Sequence, residues 1–172
     1  DAQESRGLGD VYKRQAGEIR VRGVEAEVSA RPLDPWTLVA SYAYSDSEIA
    51  EDTNTFIVGN RLAGVPDHQA ALWTSWAFDG SLSGLTVGGG VFHASSQAAT
   101  TSNNLDLPGY TRVDLNAAYA FAEGYEVRLN VDNVTDETIF ITGGFSQIYP
   151  QAPRTARPVS YTHLTLPTSD LV

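Results

Sequence analysis

The chain has 172 residues and a mass of 18.5 kDa, enough for one ordinary domain. With 42% hydrophobic and 19% charged residues it is not a disordered composition, and the absence of cysteine excludes disulfides, thiolate metal sites and a cysteine nucleophile. Eleven basic against 21 acidic residues give a net charge of −10, which sets the surface against phosphate and so against nucleic acid as a partner.

The first and last segments differ from the rest. No methionine and no signal peptide open the chain, so it is expected to begin in the middle of a gene. Its one lysine, Lys13, lies in Asp10-Val-Tyr-Lys-Arg-Gln15, and the far end reads Val159-Ser-Tyr-Thr-His163. Asp10 to Gln15 can be written GAT GTG TAT AAG AGA CAG. The opposite strand, in another frame, gives GTC TCT TAT ACA CAT C, which translates as Val-Ser-Tyr-Thr-His. One DNA element in inverted orientation therefore accounts for both ends, and both resemble translated sequencing-library adapters of the transposase type. The expected organisation is an adapter-derived leader at 1–15, a natural segment at 16–158 and an adapter-derived tail at 159–172.

The natural segment alternates with period two, which predicts strands, since helices need apolar residues three and four apart. In the first strand Ile19 and Val21 share one parity while Val24, Ala26 and Val28 share the other, so a bulge is expected at Arg22-Gly23. Trp36, Leu38, Ala40, Tyr42 and Tyr44 form one face of the next strand. Ala70, Leu72, Thr74, Trp76 and Phe78 follow, then Leu85, Val87, Gly89 and Val91. In the latter, Gly88-Gly89-Gly90 lowers strand propensity and predicts a bend or close packing. Val113, Leu115, Ala117, Tyr119 and Phe121 oppose Arg112, Asp114 and Asn116. Val127, Leu129 and Val131 oppose Glu126, Arg128, Asn130 and Asp132. A seventh strand starts at Arg154. The connections alternate: 31–35, 79–84 and 123–124 are short, whereas 46–67, 95–109 and 136–153 are long. An all-β, antiparallel up-and-down meander of about seven strands is predicted.

Short turns on one side, long loops on the other, polar rows opposite apolar ones and aromatic residues near strand ends fit an outer-membrane barrel. A soluble or secreted β-sandwich binding domain also alternates, and a small structural outer-membrane barrel would share the pattern. Closure and covering separate the three. A sandwich buries its apolar faces under a second sheet, a small barrel pairs its first and last strands, and a piece of a large barrel does neither. The decisive residues are Leu115, Tyr119, Leu129 and Val131, which face lipid in a membrane barrel and lie under a covering layer in a sandwich.

Four motifs in order carry a resemblance. Gly59-Asn-Arg-Leu-Ala-Gly-Val-Pro66 ahead of Ala70-Ala-Leu-Trp73 looks like the loop-to-strand segment of TonB-dependent siderophore receptors. Leu107-Pro-Gly-Tyr-Thr-Arg-Val-Asp114 resembles the strand start that follows, and Leu129-Asn-Val-Asp-Asn-Val-Thr-Asp136 is similar to the penultimate strand, whose usual form is Asn-Asn-Leu-Phe-Asp. Gly144-Phe-Ser-Gln-Ile-Tyr-Pro-Gln-Ala-Pro-Arg-Thr155 looks like the last loop and the entry to the closing strand. The resemblance implies an open fragment of the C-terminal part of a plugged transmembrane β-barrel of about 22 strands. It implies a place in the outer membrane of a Gram-negative bacterium, with lipid and lipopolysaccharide around it. A ferric siderophore is the implied transported ligand, and no covalently bound cofactor is implied. TonB is the partner of the whole receptor, through a segment expected to be missing here with the plug. The closing strand is expected to be interrupted at Pro158, without the family's terminal aromatic residue.

No Ser/His/Asp arrangement has catalytic spacing, so no enzyme and no catalytic residue is expected. His68 and His93 lack a third ligand at suggestive spacing and read as interfacial polar residues rather than a metal site. Asp132, Asp136 and Glu137 lack the glycine of a calcium loop, and Asn133-Val-Thr135 is a chance glycosylation sequon. Asp46, Glu48, Glu51 and Asp52 read as a solvated loop. For a siderophore carrier the ligand-facing candidates are Arg61, a cation for an anionic chelate, and Phe56, Phe145 and Tyr149, rings for its flat face.

Overall fold

The computed structural model describes residues 17–122, 124–143 and 147–162. In chain order the strands are β1 (Glu18–Leu33), β2 (Trp36–Glu51), β3 (His68–Ala77), β4 (Leu85–Ala94), β5 (Gln97–Ala98), β6 (Asp106–Leu107), β7 (Tyr110–Ala122), β8 (Tyr125–Asp132), β9 (Phe140–Gly143), β10 (Gln147–Pro150) and β11 (Thr155–Thr162). Seven of them form one antiparallel sheet in the order β1-β2-β3-β4-β7-β8-β11, and β5–β6 and β9–β10 are small hairpins within the long loops. The meander and its alternation of short and long connections stand as the sequence predicted.

Register sorts the side chains into two faces. Trp36, Leu38 and Ala40 of β2 stand opposite Trp76, Thr74 and Leu72 of β3. That row continues through Val87, Gly89 and Val91 of β4, Ala117, Leu115 and Val113 of β7, and Leu129 and Val131 of β8. The other face carries Gln69, Ser75, Arg112, Asp114, Asn116, Arg128 and Asn130. Leu115, Tyr119 and Leu129 are 47%, 44% and 46% exposed, so no layer of the described chain covers the apolar face. Nor do β1 and β11 pair with each other. A sandwich and a small closed barrel are thereby set aside for an open arc with an oily face.

Two aromatic bands mark that face. Trp36 and Trp76 lie 6.4 Å apart at the short-turn end, where Phe121 also sits 6.3 Å from Tyr119 and 6.0 Å from Tyr125. At the long-loop end the His68 ring lies tilted 5.1 Å from Tyr44, and its Nδ1 shares a 2.9 Å hydrogen bond with the Tyr42 hydroxyl. Eight residues separate Trp36 from Tyr44, about 26 Å of extended chain and about 20 Å of depth once tilted, close to the apolar band of an outer-membrane barrel.

Two expectations need correction. The register from Ile19 to Ala30 is continuous, so Arg22-Gly23 holds no bulge. The phase slip reports a change of medium instead. Below Gly23, Val24, Ala26 and Val28 stand opposite Tyr44, Tyr42 and Ala40 on the lipid side. Above it, that side carries Arg22 opposite Asp46 and Arg20 opposite Glu48, while Ile19 and Ile49 meet on the other face. β1 and β2 thus rise past the membrane, and outside it the outward face meets water and turns polar. For the same reason Asp46, Glu48 and Glu51 belong to strand β2 rather than to a loop. β11 pairs with β8 from Thr155 as far as Thr162.

Close packing explains the glycine run. A Cβ on Gly90 would lie 2.3 Å from Trp73 Cε3, and one on Gly88 would lie 2.5 Å from Asn116 Oδ1. Trp73 lies across the polar side of β4 in the space Gly90 leaves, and the Asn116 side chain fills the space at Gly88.

Candidate ligand-facing loop layer

Apolar burial is concentrated where the long loops meet. Ile49, Ala94, Ala98, Ala99, Leu107 and Ile139 are the buried apolar residues among those described, all at the long-loop end. The loops are consequently a packed layer, and Arg61 is held in it by local chemistry.

The loop 52–67 starts with nested side-chain turns. Asp52 Oδ1 accepts from Asn54 N–H at 2.7 Å, and Asn54 Oδ1 accepts from Phe56 N–H at 3.2 Å, which caps a single 3₁₀ turn, Thr55–Ile57. Such side-chain turns compete well with extended backbone at Asp and Asn. Phe56 is left 92% exposed at the tip. The chain then returns to β2: Gly59 N–H donates to Ile49 O and Leu62 N–H to Ser47 Oγ.

Arg61 is the hub of the layer. Its guanidinium donates to Asp106 at 3.0 Å and to Asp67 at 3.4 Å. Its backbone is clasped by Asn103, whose Oδ1 accepts from Arg61 N–H and whose Nδ2 donates to Arg61 O, each at 2.9 Å. Asn103 reaches both because it stands at φ 50°, a left-handed conformation that asparagine tolerates. The cation therefore joins loops 52–67 and 95–109, and the Arg61–Asp67–Asp106 group carries one net negative charge. Gly64 N–H donates to Ala98 O, and Thr142 Oγ1 to Ala99 O, so the loop 133–154 docks on the same layer.

Tyr149 lies on β10, 48% exposed, with its hydroxyl donating to Gln147 Oε1. Phe145 lies outside the described residues. Among the described residues no hydrogen bond or ring contact joins Phe56, Arg61 and Tyr149. They belong to one layer without forming one cluster. Below them, on the polar face, a cleft of about 460 Å³ is bordered by Glu25, Glu27, Gln69, Phe92 and Tyr110.

The remaining polar residues are engaged locally. His93 Nδ1 is 2.9 Å from Thr111 Oγ1, Asp132 pairs with Arg157, and Asp136 and Glu137 take part in hydrogen bonds at the base of loop 133–154. No group of three or more His, Asp or Glu among the described residues is placed to hold a metal ion. Asn103 escaped sequence reasoning, because its only local signal is an asparagine at a loop turn and its partner Arg61 is distant in sequence. Asn133 was read as part of the penultimate-strand motif and as a chance sequon, without a structural role.

The uncovered oily face, the two aromatic bands and the loop layer define an outer-membrane β-barrel wall. Comparison with known proteins supplies the family: the family described as TonB dependent receptor-like, beta-barrel, matches residues 1–134. The chain belongs to that family. It is 39% identical over 133 residues to the ferrichrome outer membrane transporter/phage receptor of Escherichia coli, a match covering 74% of this chain and 18% of the relative. To the metal-pseudopaline receptor CntO of Pseudomonas aeruginosa it is 34% identical over 131 residues, covering 75% of this chain and 18% of that one. The crystal structure of BauA, the ferric preacinetobactin receptor from Acinetobacter baumannii, superposes with a TM-score of 0.77 at 29% identity, over 84% of this chain and 22% of that one. The chain thus spans about a fifth of the proteins it resembles.

Proposed function

We propose that this chain is part of the C-terminal barrel wall of a receptor that imports a ferric siderophore across the outer membrane, with energy delivered through TonB. The observation that carries the proposal is the oily face left bare between two aromatic bands, topped by a packed loop layer. Transporters and receptors among the relatives support it, and lipid and lipopolysaccharide are the surroundings proposed for the bare face. The chain is proposed to have no catalytic activity. Residues 16–158 are proposed as the barrel segment. Beyond Pro158 the alternation inverts: Val159 and Tyr161 share the face of Arg157, and Ser160 and Thr162 share that of Ala156. Inversion at that point favours a foreign tail from residue 159.

Phe56, Arg61, Phe145 and Tyr149 are proposed to face the ligand. For Arg61 the loop geometry adds a condition: an anionic chelate must compete with Asp67 and Asp106 for the guanidinium. The test is iron uptake by the complete receptor gene in an iron-starved outer-membrane host lacking its own siderophore receptors. Radiolabelled iron is offered as ferrichrome, ferric preacinetobactin or ferric pyoverdine. Uptake of at least one, lost when TonB is deleted, is expected; uptake of none overturns the proposal. Arg61→Ala is expected to reduce that uptake, and unchanged uptake removes Arg61 from the ligand-facing set.

A further inference from the structure

Asn133 is the largest fully buried side chain among the described residues, at 1% exposure, although it opens a loop. Its backbone sits at φ 53°. Every polar group it owns is committed. Its N–H donates to Asp114 Oδ1 at 2.8 Å, its Nδ2 donates to Glu137 O at 2.9 Å, and its Oδ1 accepts from Glu137 N–H at 2.9 Å. Its carbonyl accepts from Asp136 N–H at 2.9 Å, while the next residue, Val134, donates its N–H to Val113 O of β7 at 2.7 Å. The far end of the loop enters the same knot: Asp136 Oδ1 accepts from Arg154 N–H at 2.9 Å, and the Arg154 guanidinium donates to Val134 O.

The knot is rooted in the barrel wall. Asp114 is 7% exposed and faces the polar side of β7. Its second oxygen accepts from Arg112 at 3.0 Å, and that guanidinium lies 4.9 Å over the ring of Phe92. One buried carboxylate therefore holds the loop anchor with one oxygen and a cation of the wall with the other. Charge-assisted bonds of this kind are the strong ones, and they weigh more where water is excluded.

We propose that Asn133 is the positioning residue that fixes the loop 133–154 to the barrel wall, and that Asp114 links this anchor to Arg112. That the loop serves to present Tyr149 to a chelate rests on the receptor reading; the anchoring does not. The test is residue-resolved hydrogen exchange on the complete receptor in detergent, with a heat-resistant barrel band on gels as the check that each variant is folded.

Asn133→Ala is expected to speed exchange at Val134, Glu137 and Arg154 by about tenfold, while Gly64 and Ala99 in the neighbouring loops keep their protection. Asn133→Gly, which tolerates φ 53° but has no side chain, is expected to keep protection at Val134 and lose it at Glu137. Asp114→Asn, which keeps an acceptor for Asn133 N–H, is expected to retain most of the protection that Asp114→Ala removes. Arg112→Gln is expected to speed exchange at Val134 while leaving Gly64 unchanged.

Unchanged exchange in both Asn133 variants overturns the anchor, as does loosening spread equally to Gly64 and Ala99. An Arg112→Gln variant with wild-type exchange overturns the link to the wall. Failure of the receptor reading is seen separately, as no uptake of any ferric siderophore alongside an intact exchange pattern.

Discussion

At the scale of single residues, Trp73 rests on β4 because Gly90 presents bare backbone to it. Any side chain at Gly90 drives its Cβ into the indole edge at 2.3 Å, and the indole is wedged against Phe92, 6.5 Å away between centroids. Overpacking of this kind forces a rotamer change or a backbone shift. Gly90→Ala is therefore expected to destabilise the barrel by about 1–3 kcal/mol, read as a lower urea midpoint in detergent, with Trp73→Leu in the same chain restoring part of the loss. The glycine run was legible as close packing, but its partner was not, because period two assigns a face and says nothing of which neighbour leans across it. The same limit hid the two asparagine clasps. Asn103 and Asn133 act through partners that only the folded loops bring near. Arg61 was legible as a cation in a loop, while its carboxylate partners Asp67 and Asp106 became visible only with the strand register.

At the scale of the element, β1 and β2 show why strand assignment succeeded and one inference from it failed. Sixteen residues extend about 50 Å, whereas about 9–11 tilted residues cross the bilayer. The surplus stands in water, and there the outward face exchanges oil for charge at Tyr44 and Gly23 without any change of register. Alternation in a sequence records the two media on either side of a sheet, so a switch of medium along the strand imitates an inserted residue. An arginine scan along the outward face of β2 tests the membrane boundary this implies. Ala40→Arg, between the aromatic bands, is expected to cost about 2–4 kcal/mol of barrel stability. Asp46→Arg, two positions above Tyr44, is expected to cost about 0–1 kcal/mol. Equal costs at both positions would place the bilayer edge elsewhere.

At the scale of the whole molecule, the strand count determines what the sheet can do alone. Seven strands with antiparallel neighbours leave β1 and β11 running in the same direction at opposite edges. Closure by antiparallel pairing therefore needs an odd number of further strands between them, and no rolling of this sheet onto itself supplies one. The outer edge of β1 meanwhile presents the unpaired half of sixteen residues' backbone groups. In lipid each unsatisfied group costs on the order of several kcal/mol, which surface burial on a bare oily face cannot offset. In water the same edge is a template for another chain. The 172-residue chain expressed alone is thus expected to aggregate from denaturant into water and, in detergent, to give no heat-modifiable monomer band. The complete receptor is expected to give one. A soluble monomer of this chain with a cooperative melt would mean that the oily face has found a cover within the chain, and the membrane assignment of that face would fall with it.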